Sequence, residues 1–280
     1  MADTIIVGVS GAPVSARAVD WAATRAVQRK LKLELLGVVG GALGTVGEDE
    51  VVTDARVRTQ ELLEAEAARI ARDGLVVTTR VASGNPVAHL IEASADAALL
   101  VIGSDYKGPG SGPARGAHGV RIAAGAKCPV VVVPDIDLGE RSGVVVGLDG
   151  SQTSEAALRF AAIEADRLGE KLIAVSVWTP LQAPRNGLAV YPDLYLTNMQ
   201  SATEEVQALA LAGITSDYPD LEVERVVERG YPSHVINERA SSARMAVVGT
   251  HGRGALARFL LGSISQEVLA RLATVTAVVR

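Results

Sequence analysis

Two stretches of the chain lie over one another without a gap: IIVGVSGAPVSARAVDWAATRAVQRKLKLELLGV at residues 5–38 and VVVGLDGSQTSEAALRFAAIEADRLGEKLIAVSV at residues 144–177. Gly8 falls on Gly147, Gly11 on Gly150, Ser15 on Ser154, and Ala22-Ala23 on Ala161-Ala162. Further along, GNPVAHLIEASADAALLVIGS (84–104) matches GYPSHVINERASSARMAVVGT (230–250), again gapless, with the second copy seven residues longer in between. A repeat of this period decides the architecture before any local reading does. The chain is expected to be two copies of one domain, residues 1–138 and 139–280, joined near Pro134 to Arg141.

Within each copy the elements alternate. GVVVGLD is a continuous apolar run bounded by glycines, which suits a strand buried on both faces of a parallel sheet. Ser151-Gln-Thr-Ser-Glu155 supplies N-cap candidates for an amphipathic helix running to about Leu168, with Ala157, Ala161 and Ala165 on one face. Strand LIAVSVW (172–178), a proline-containing loop, a helix from about Leu196 to Ala212 and strand LEVERVVE (221–228) follow. A helix opened by Pro232, strand MAVVG (245–249), a glycine loop, a helix from Ser263 and strand TVTAVV (274–279) complete the set. Five strands alternating with four helices predict an α/β fold of two tandem, doubly wound, five-stranded parallel-sheet domains of the Rossmann-like type.

Composition agrees with this reading. Of the 280 residues 48% are hydrophobic but only 3% aromatic, so Val, Ala, Leu and Ile must build the core. With 27 basic and 32 acidic side chains the formal net charge is −5, and no basic field is available for a nucleic-acid duplex. No apolar run reaches the roughly 18 residues that span a bilayer, and MADTIIVGVS opens as a strand without a charged leader, so a cytoplasmic chain with no membrane partner is expected. Cys128 is the single cysteine, which excludes an internal disulfide and a thiolate metal cluster. Its setting, KCPVVVV, is the entry to an apolar strand. Four histidines, at 89, 118, 234 and 251, show no metal-ligand spacing. Met199, Met245 and Trp178 read as core or strand-end packing.

The stretch VVGTHGRGALARFLLGSIS, Val247 to Ser265, carries the functional signal. In open parallel sheets ligands sit beyond the carboxyl ends of the strands, where neighbouring connections diverge. At such an end Gly249 is expected to turn with a positive φ, and Gly252 to let backbone N–H groups approach an anion without a Cβ in the way. Gly262-Ser263 then places free N–H groups and a hydroxyl at a helix N-terminus, where the macrodipole favours negative charge. Two contact points ten residues apart imply a ligand with more than one phosphate. A P-loop is excluded, because no lysine occurs from Val247 onward, and a GxGxxG fingerprint after the first strand is absent. The plainer alternative is that these glycines only cap strands and loops. Asp149, in VVVGLDGS, would face the same crevice if the first and fourth strands are neighbours, to meet ribose hydroxyls or a phosphate-bound Mg²⁺. Its alternative is an Asx turn at a helix start.

Gly249-x2-Gly252-x9-Gly262-Ser263, following strand MAVV and paired with Asp149, resembles the ATP-binding pattern of the universal stress protein family, and the resemblance covers nearly the whole chain twice. What it implies is a tandem, ATP-binding, stress-response module that holds one ATP in the second half. Asp149 would meet the ribose or the metal, Val177 would offer its backbone to the adenine, and Gly249 would pack by the ribose. Gly252, Gly262 and Ser263 would cradle the phosphates, with Ile264 adding a backbone N–H; Gly147, Leu148 and Val248 complete the implied set. His251 would touch a phosphate or else face solvent, and Arg253 and Arg258 stay unassigned. In the resembled family the last strands mediate dimers, which implies that the halves form an intramolecular pseudo-dimer and that the chain is a homodimer.

The first half departs from the pattern. Ser10 stands for Asp149, Tyr106 for the second glycine, and Ala117 follows Gly116 where a hydroxyl belongs. Gly103, Gly108 and Gly116 survive, but Pro109 and Pro113 remove two N–H donors, and Tyr106 would put a ring where a phosphate should approach. Two rival readings stand beside the binding module. One is a slow ATPase or nucleotidyl-transfer enzyme using Asp149, His251 and Arg253, for which the lack of a P-loop lysine excludes efficient turnover. The other is a ligand-free dimerisation scaffold.

Overall fold

The structure, a computed structural model, describes residues 3–40, 48–107, 118–181, 192–252 and 261–280. The chain divides into two units, Met1–Asp137 and Leu138–Arg280. The first runs β1 (Thr4–Val9), α1 (Pro13–Arg29), β2 (Lys32–Val39), α2 (Glu48–Arg69), β3 (Val77–Ser83), α3 (Pro86–Ala93), β4 (Leu99–Ser104), α4 (His118–Gly125) and β5 (Val130–Pro134). The second repeats the sequence of elements as β6 (Val144–Gly147), α5 (Gln152–Leu168), β7 (Leu172–Trp178), α6 (Asp193–Asp217), β8 (Val223–Arg229), α7 (Pro232–Ala240), β9 (Met245–Gly249), α8 (Ser263–Ala270) and β10 (Val275–Val279).

Strand order is β3-β2-β1-β4-β5 in the first unit and β8-β7-β6-β9-β10 in the second, all parallel. Each unit is therefore a doubly wound α/β sheet, as the alternation predicts. The order reverses where β1 meets β4 and where β6 meets β9, and a crevice opens there at the carboxyl ends. The first and fourth strands are indeed neighbours, with Val144 to Val146 in register with Met245 to Val247.

The inner strands are apolar throughout because both faces are covered: Val144, Val145 and Val146 have no exposed surface. The edge strands β3 and β8 carry Thr, Arg and Glu between their apolar residues, since they are only partly covered. The repeated alanines lie where α1 and α5 press on the sheet; Ala22, Ala23, Ala161 and Ala162 are all fully buried, and a larger side chain would hold the helix away.

Helix boundaries follow local chemistry. Ser151 caps α5 by accepting from the Ser154 amide at 3.2 Å, and Pro232 occupies the first turn of α7. Equivalent left-handed residues end α1 and α5: Lys30 at φ 52° and Gly169 at φ 64°. The helix expected from Leu196 to Ala212 is longer, Asp193–Asp217, because Pro192 starts it a turn before the first apolar face is established. Cys128 is buried, and burial pushes its thiol up to about 11, far from the reactive thiolate range. Among the described residues no helix is long and apolar enough to cross a membrane.

Candidate functional site

At the end of β6, Leu148 still donates from its backbone to Val175 at 2.8 Å, and the chain then leaves the sheet through Asp149 and Gly150. Gly150 takes φ +75°, and the Asp149 carboxylate accepts from the Ser151 amide at 3.0 Å. The Asx turn considered from sequence is thus present, and it uses one carboxylate oxygen. The other oxygen faces the glycine loop: a Cβ built on Gly252 would stand 2.6 Å from Asp149 Oδ2. A side chain at 252 would have to displace the Asp149 carboxylate.

Gly249 has a different role from the one expected. Its φ is not positive, unlike that of Gly150 or Gly169. Instead, a Cβ there would lie 3.0 Å from the backbone carbon and Oγ1 of Thr153, so the glycine lets the first turn of α5 press against the end of β9. From this point three successive carbonyls are held. Gly249 O accepts from Ser265 Oγ at 2.6 Å, Thr250 O from the Gly262 amide at 2.7 Å, and His251 O from the Thr153 hydroxyl.

These bonds correct a second expectation. The Gly262 amide is not free for a ligand, since Thr250 takes it, and Ser265 is committed to Gly249. Gly262 is a glycine because a Cβ would press on Thr250 O at 3.2 Å and His251 Cα at 3.4 Å. The Cβ position of Gly262 is 3.9 Å from Gly252 N, so two residues ten apart in sequence are adjacent in space. Gly262 is the N-cap of α8 and no side chain caps the helix, which leaves the Ser263 and Ile264 amides at its positive end.

The cavity these residues border measures about 730 Å³. At one end stand Gly147, Leu148, Asp149, Val248, Gly249, His251, Gly252, Gly262, Ser263 and Ile264, and at the other Val177, so every predicted site residue lines it. The opposite wall corrects a further expectation: Met199 and Trp178, read from sequence as packing, border the same space, whereas Met245 is core at 1% exposed. Met199, Thr203 and Val206 recur at helical spacing on one face of α6, a stripe that resembles any core face in sequence and here looks into the cavity. Trp178 is fixed at the rim by its Nε1–H donating to Gln200 Oε1 at 2.6 Å.

His251 lies at the inner side of the loop. Its Nδ1 is 3.1 Å from Thr250 Oγ1 and its Nε2 is buried without a hydrogen-bond partner. Burial, reinforced by the charge of Arg280, holds the imidazole below its ordinary range, in the neutral form. Among the described residues no group of three or more His, Cys, Asp or Glu is placed to hold a metal ion. Arg253 and Arg258 lie outside the described residues.

The matching position in the first unit is built otherwise. The Ser10 amide donates to Ser15 Oγ at 2.9 Å, and Ser10 offers no carboxylate. Tyr106 is 6% exposed, its ring packed inside the unit, and its carbonyl accepts from the Asp135 amide at 3.1 Å. A Cβ built on Gly103 would lie 3.0 Å from Val14 as one on Gly249 would from Thr153, but valine has no hydroxyl to hold the loop. Gly108, Pro109, Pro113, Gly116 and Ala117 lie outside the described residues.

Comparison with known proteins agrees with this architecture. The model of the universal stress protein family matches residues 1–134 and again residues 141–280. Universal stress protein Rv2005c of Mycobacterium tuberculosis is 33% identical over 284 residues, covering 95% of this chain and 92% of the relative. Universal stress protein Rv2623 of the same organism is 31% identical over 288 residues, covering 98% and 95%. Among solved structures, a universal stress protein from Archaeoglobus fulgidus superposes with a TM-score of 0.73 at 20% identity, covering 100% of this chain and 99% of that one, a likeness of fold. Two matches to one family model, with relatives that share the full tandem length, show that the chain belongs to the universal stress protein family.

Proposed function

We propose that the C-terminal unit binds ATP in the crevice beyond β6, β7 and β9, and that the protein acts as a nucleotide-dependent regulatory module of the stress response. The observation that carries this reading is the meeting, in one cavity, of an uncapped helix N-terminus, two glycines at which a Cβ would be tightly crowded and an apolar wall. A cavity of about 730 Å³ is within the usual range for small-molecule sites. Its two ends differ as the two ends of a nucleotide do. Val177, Met199 and Val206 offer a dry surface to a base, while the Ser263 and Ile264 amides, the Ser263 hydroxyl and the Gly252 amide offer donors to phosphate oxygens.

Each such donor is worth about 1.5–3 kcal/mol to a charged oxygen, and the end of α8 adds roughly 0.3–1 kcal/mol. Asp149 would accept from ribose hydroxyls. Mg²⁺, where bound, would be held mainly through phosphate oxygens, with Asp149 the carboxylate among the described lining residues. Among the described lining residues none is an activated base beside a charge clamp for a γ-phosphate, which favours retention of ATP over turnover.

The test is calorimetric titration of the full chain with ATP, together with release of bound nucleotide by denaturing the purified protein and identifying it by absorbance and mass. One equivalent of ATP per chain is expected, stable over hours. Two equivalents would overturn the asymmetry between the units, steady production of ADP would favour the enzyme reading, and failure to bind any adenine nucleotide would favour a scaffold.

A further inference from the structure

We infer that Thr153 is a positioning residue for the phosphate end of the cavity: its hydroxyl, by holding the His251 carbonyl, turns the Gly252 amide outward as an anion donor. The inference rests on the nucleotide reading above and adds to it a residue that touches no ligand.

The reasoning starts from the geometry of the peptide unit. All peptide bonds among the described residues are trans, so the C=O of one residue and the N–H of the next point in opposite directions. Where a carbonyl is tied down, the following amide is aimed the other way. Along 249–251 all three carbonyls are tied down by donors from outside the loop: Ser265 and Gly262 of the α8 start hold Gly249 and Thr250, and Thr153 of α5 holds His251. Two of these three anchors come from the segment that starts α8. The third joins residues 98 apart and is supplied by a different helix.

The consequences fall on the amides. Thr250 N–H is used, donating to Val279 O at 2.8 Å. The His251 and Gly252 amides meet no acceptor among the described residues. With His251 C=O directed at α5, Gly252 N–H is directed away from α5, beside the start of α8. Without the Thr153 hydroxyl the 251–252 peptide plane has only Ser151 Oγ, at 3.5 Å, to hold it, a contact too long to fix a direction. A glycine follows, so nothing steric prevents the plane from rotating and presenting a carbonyl oxygen where a phosphate is to sit.

The first unit supplies an internal contrast. Val14 stands at the matching place, and a Cβ built on Gly103 would lie 3.0 Å from it, as one built on Gly249 would lie 3.0 Å from Thr153. Packing therefore does not need the hydroxyl. Threonine in place of valine is a difference in hydrogen bonding alone, in the unit that carries the glycine loop.

The experiment uses the full chain with Thr153→Val and Thr153→Ser, titrated calorimetrically with ATP and with adenosine, with thermal unfolding followed in parallel. Thr153→Val is expected to weaken ATP by roughly tenfold, the scale of one lost orienting bond, while adenosine changes by less than about twofold. Thr153→Ser is expected to bind ATP as the wild type does. A Thr153→Val protein that binds ATP normally, or that loses ATP and adenosine equally, overturns the inference. So does a Thr153→Ser protein that has lost ATP, and this variant decides the matter should Thr153→Val not fold. If the wild-type chain itself takes up no adenine nucleotide, the reading of the site falls and the role of Thr153 with it; wild-type binding with an unaffected Thr153→Val sinks the positioning role alone.

Discussion

The two units use the same skeleton and differ at the mouth of the crevice. Gly8 and Gly147 occupy matching places on the first strand of each unit, and a Cβ on either would press on matching side chains, Leu90 at 3.1 Å and Ile236 at 2.8 Å. Gly103 and Gly249 likewise both accommodate the first turn of the following helix's partner, α1 or α5. These shared features serve packing. What differs is Ser10 against Asp149, Val14 against Thr153 and Tyr106 against Gly252, a set confined to the carboxyl ends of the strands. Packing accounts for Gly8 and Gly147 and for Gly103 and Gly249 in both copies, whereas Gly252 is matched by a tyrosine in the other.

The sharpest way to break the contrast is to move the first unit's residue into the second. In Gly252→Tyr a side chain starts where even a Cβ would lie 2.6 Å from a carboxylate oxygen of Asp149, at a residue that lines the cavity. ATP affinity is expected to fall by more than about a hundredfold, with the unfolding transition shifted little, because the residue lies outside the core. Normal calorimetric binding by this variant would show that the loop is not where the ligand sits.

A smaller effect compares the matched glycines of the two units. Gly103→Ala and Gly249→Ala each place a Cβ about 3.0 Å from backbone atoms of a helix start, which must shift to make room. Both are expected to lose about 1–3 kcal/mol in urea unfolding, as overpacked sites do. Only Gly249→Ala should also weaken ATP, since the displaced helix carries Thr153. A large loss in one variant and none in the other would mean that the packing of the two units is less alike than their matching contacts suggest.

Much of this was legible in the sequence, and the limits have a physical cause. The gapless repeat, the apolar runs bounded by glycines and the Ser151 cap are local signals, and the alternation of elements and the helix starts follow from them, while the pairing of β6 with β9 was a condition that the structure meets. The cavity-lining role of Gly252, Ser263 and Asp149 came from spacing and resemblance. The reasons given for Gly249 and for the Gly262 amide did not survive, because what decides them is a partner far away in the chain: Thr153 for one, Thr250 O for the other. Met199 shows the same limit from another side. A helical stripe of apolar residues has one appearance whether it faces a sheet or an opening, and only the third dimension separates the two. Thr153 carried a signal that was available, the replacement of Val14 by a hydroxyl in the repeat, though spacing alone gave it no meaning.

The smallest effect concerns His251, whose counterpart in the first unit, Asp105, is exposed. Burial lowers the affinity of the folded imidazole for a proton, with Arg280 adding repulsion, so the folded value lies below the ordinary 6.5. A depressed folded value means that the neutral ring is the form that folding favours. The stability this contributes is complete above about pH 6.5 and is lost as the pH falls below it, toward the folded value. Carboxylates also lose their ion pairs in acid, so the effect is read as a difference. Between pH 7 and pH 5.5 the wild type should lose roughly 1–3 °C more in Tm than His251→Gln, which cannot take a proton. The Nε2 atom, buried and without a partner, makes the sign firm: a proton placed there has no acceptor to meet, so acid can only weaken the loop that carries Gly252. Parallel pH profiles for the two proteins would place the ring in contact with water and remove it from the inner wall of the loop.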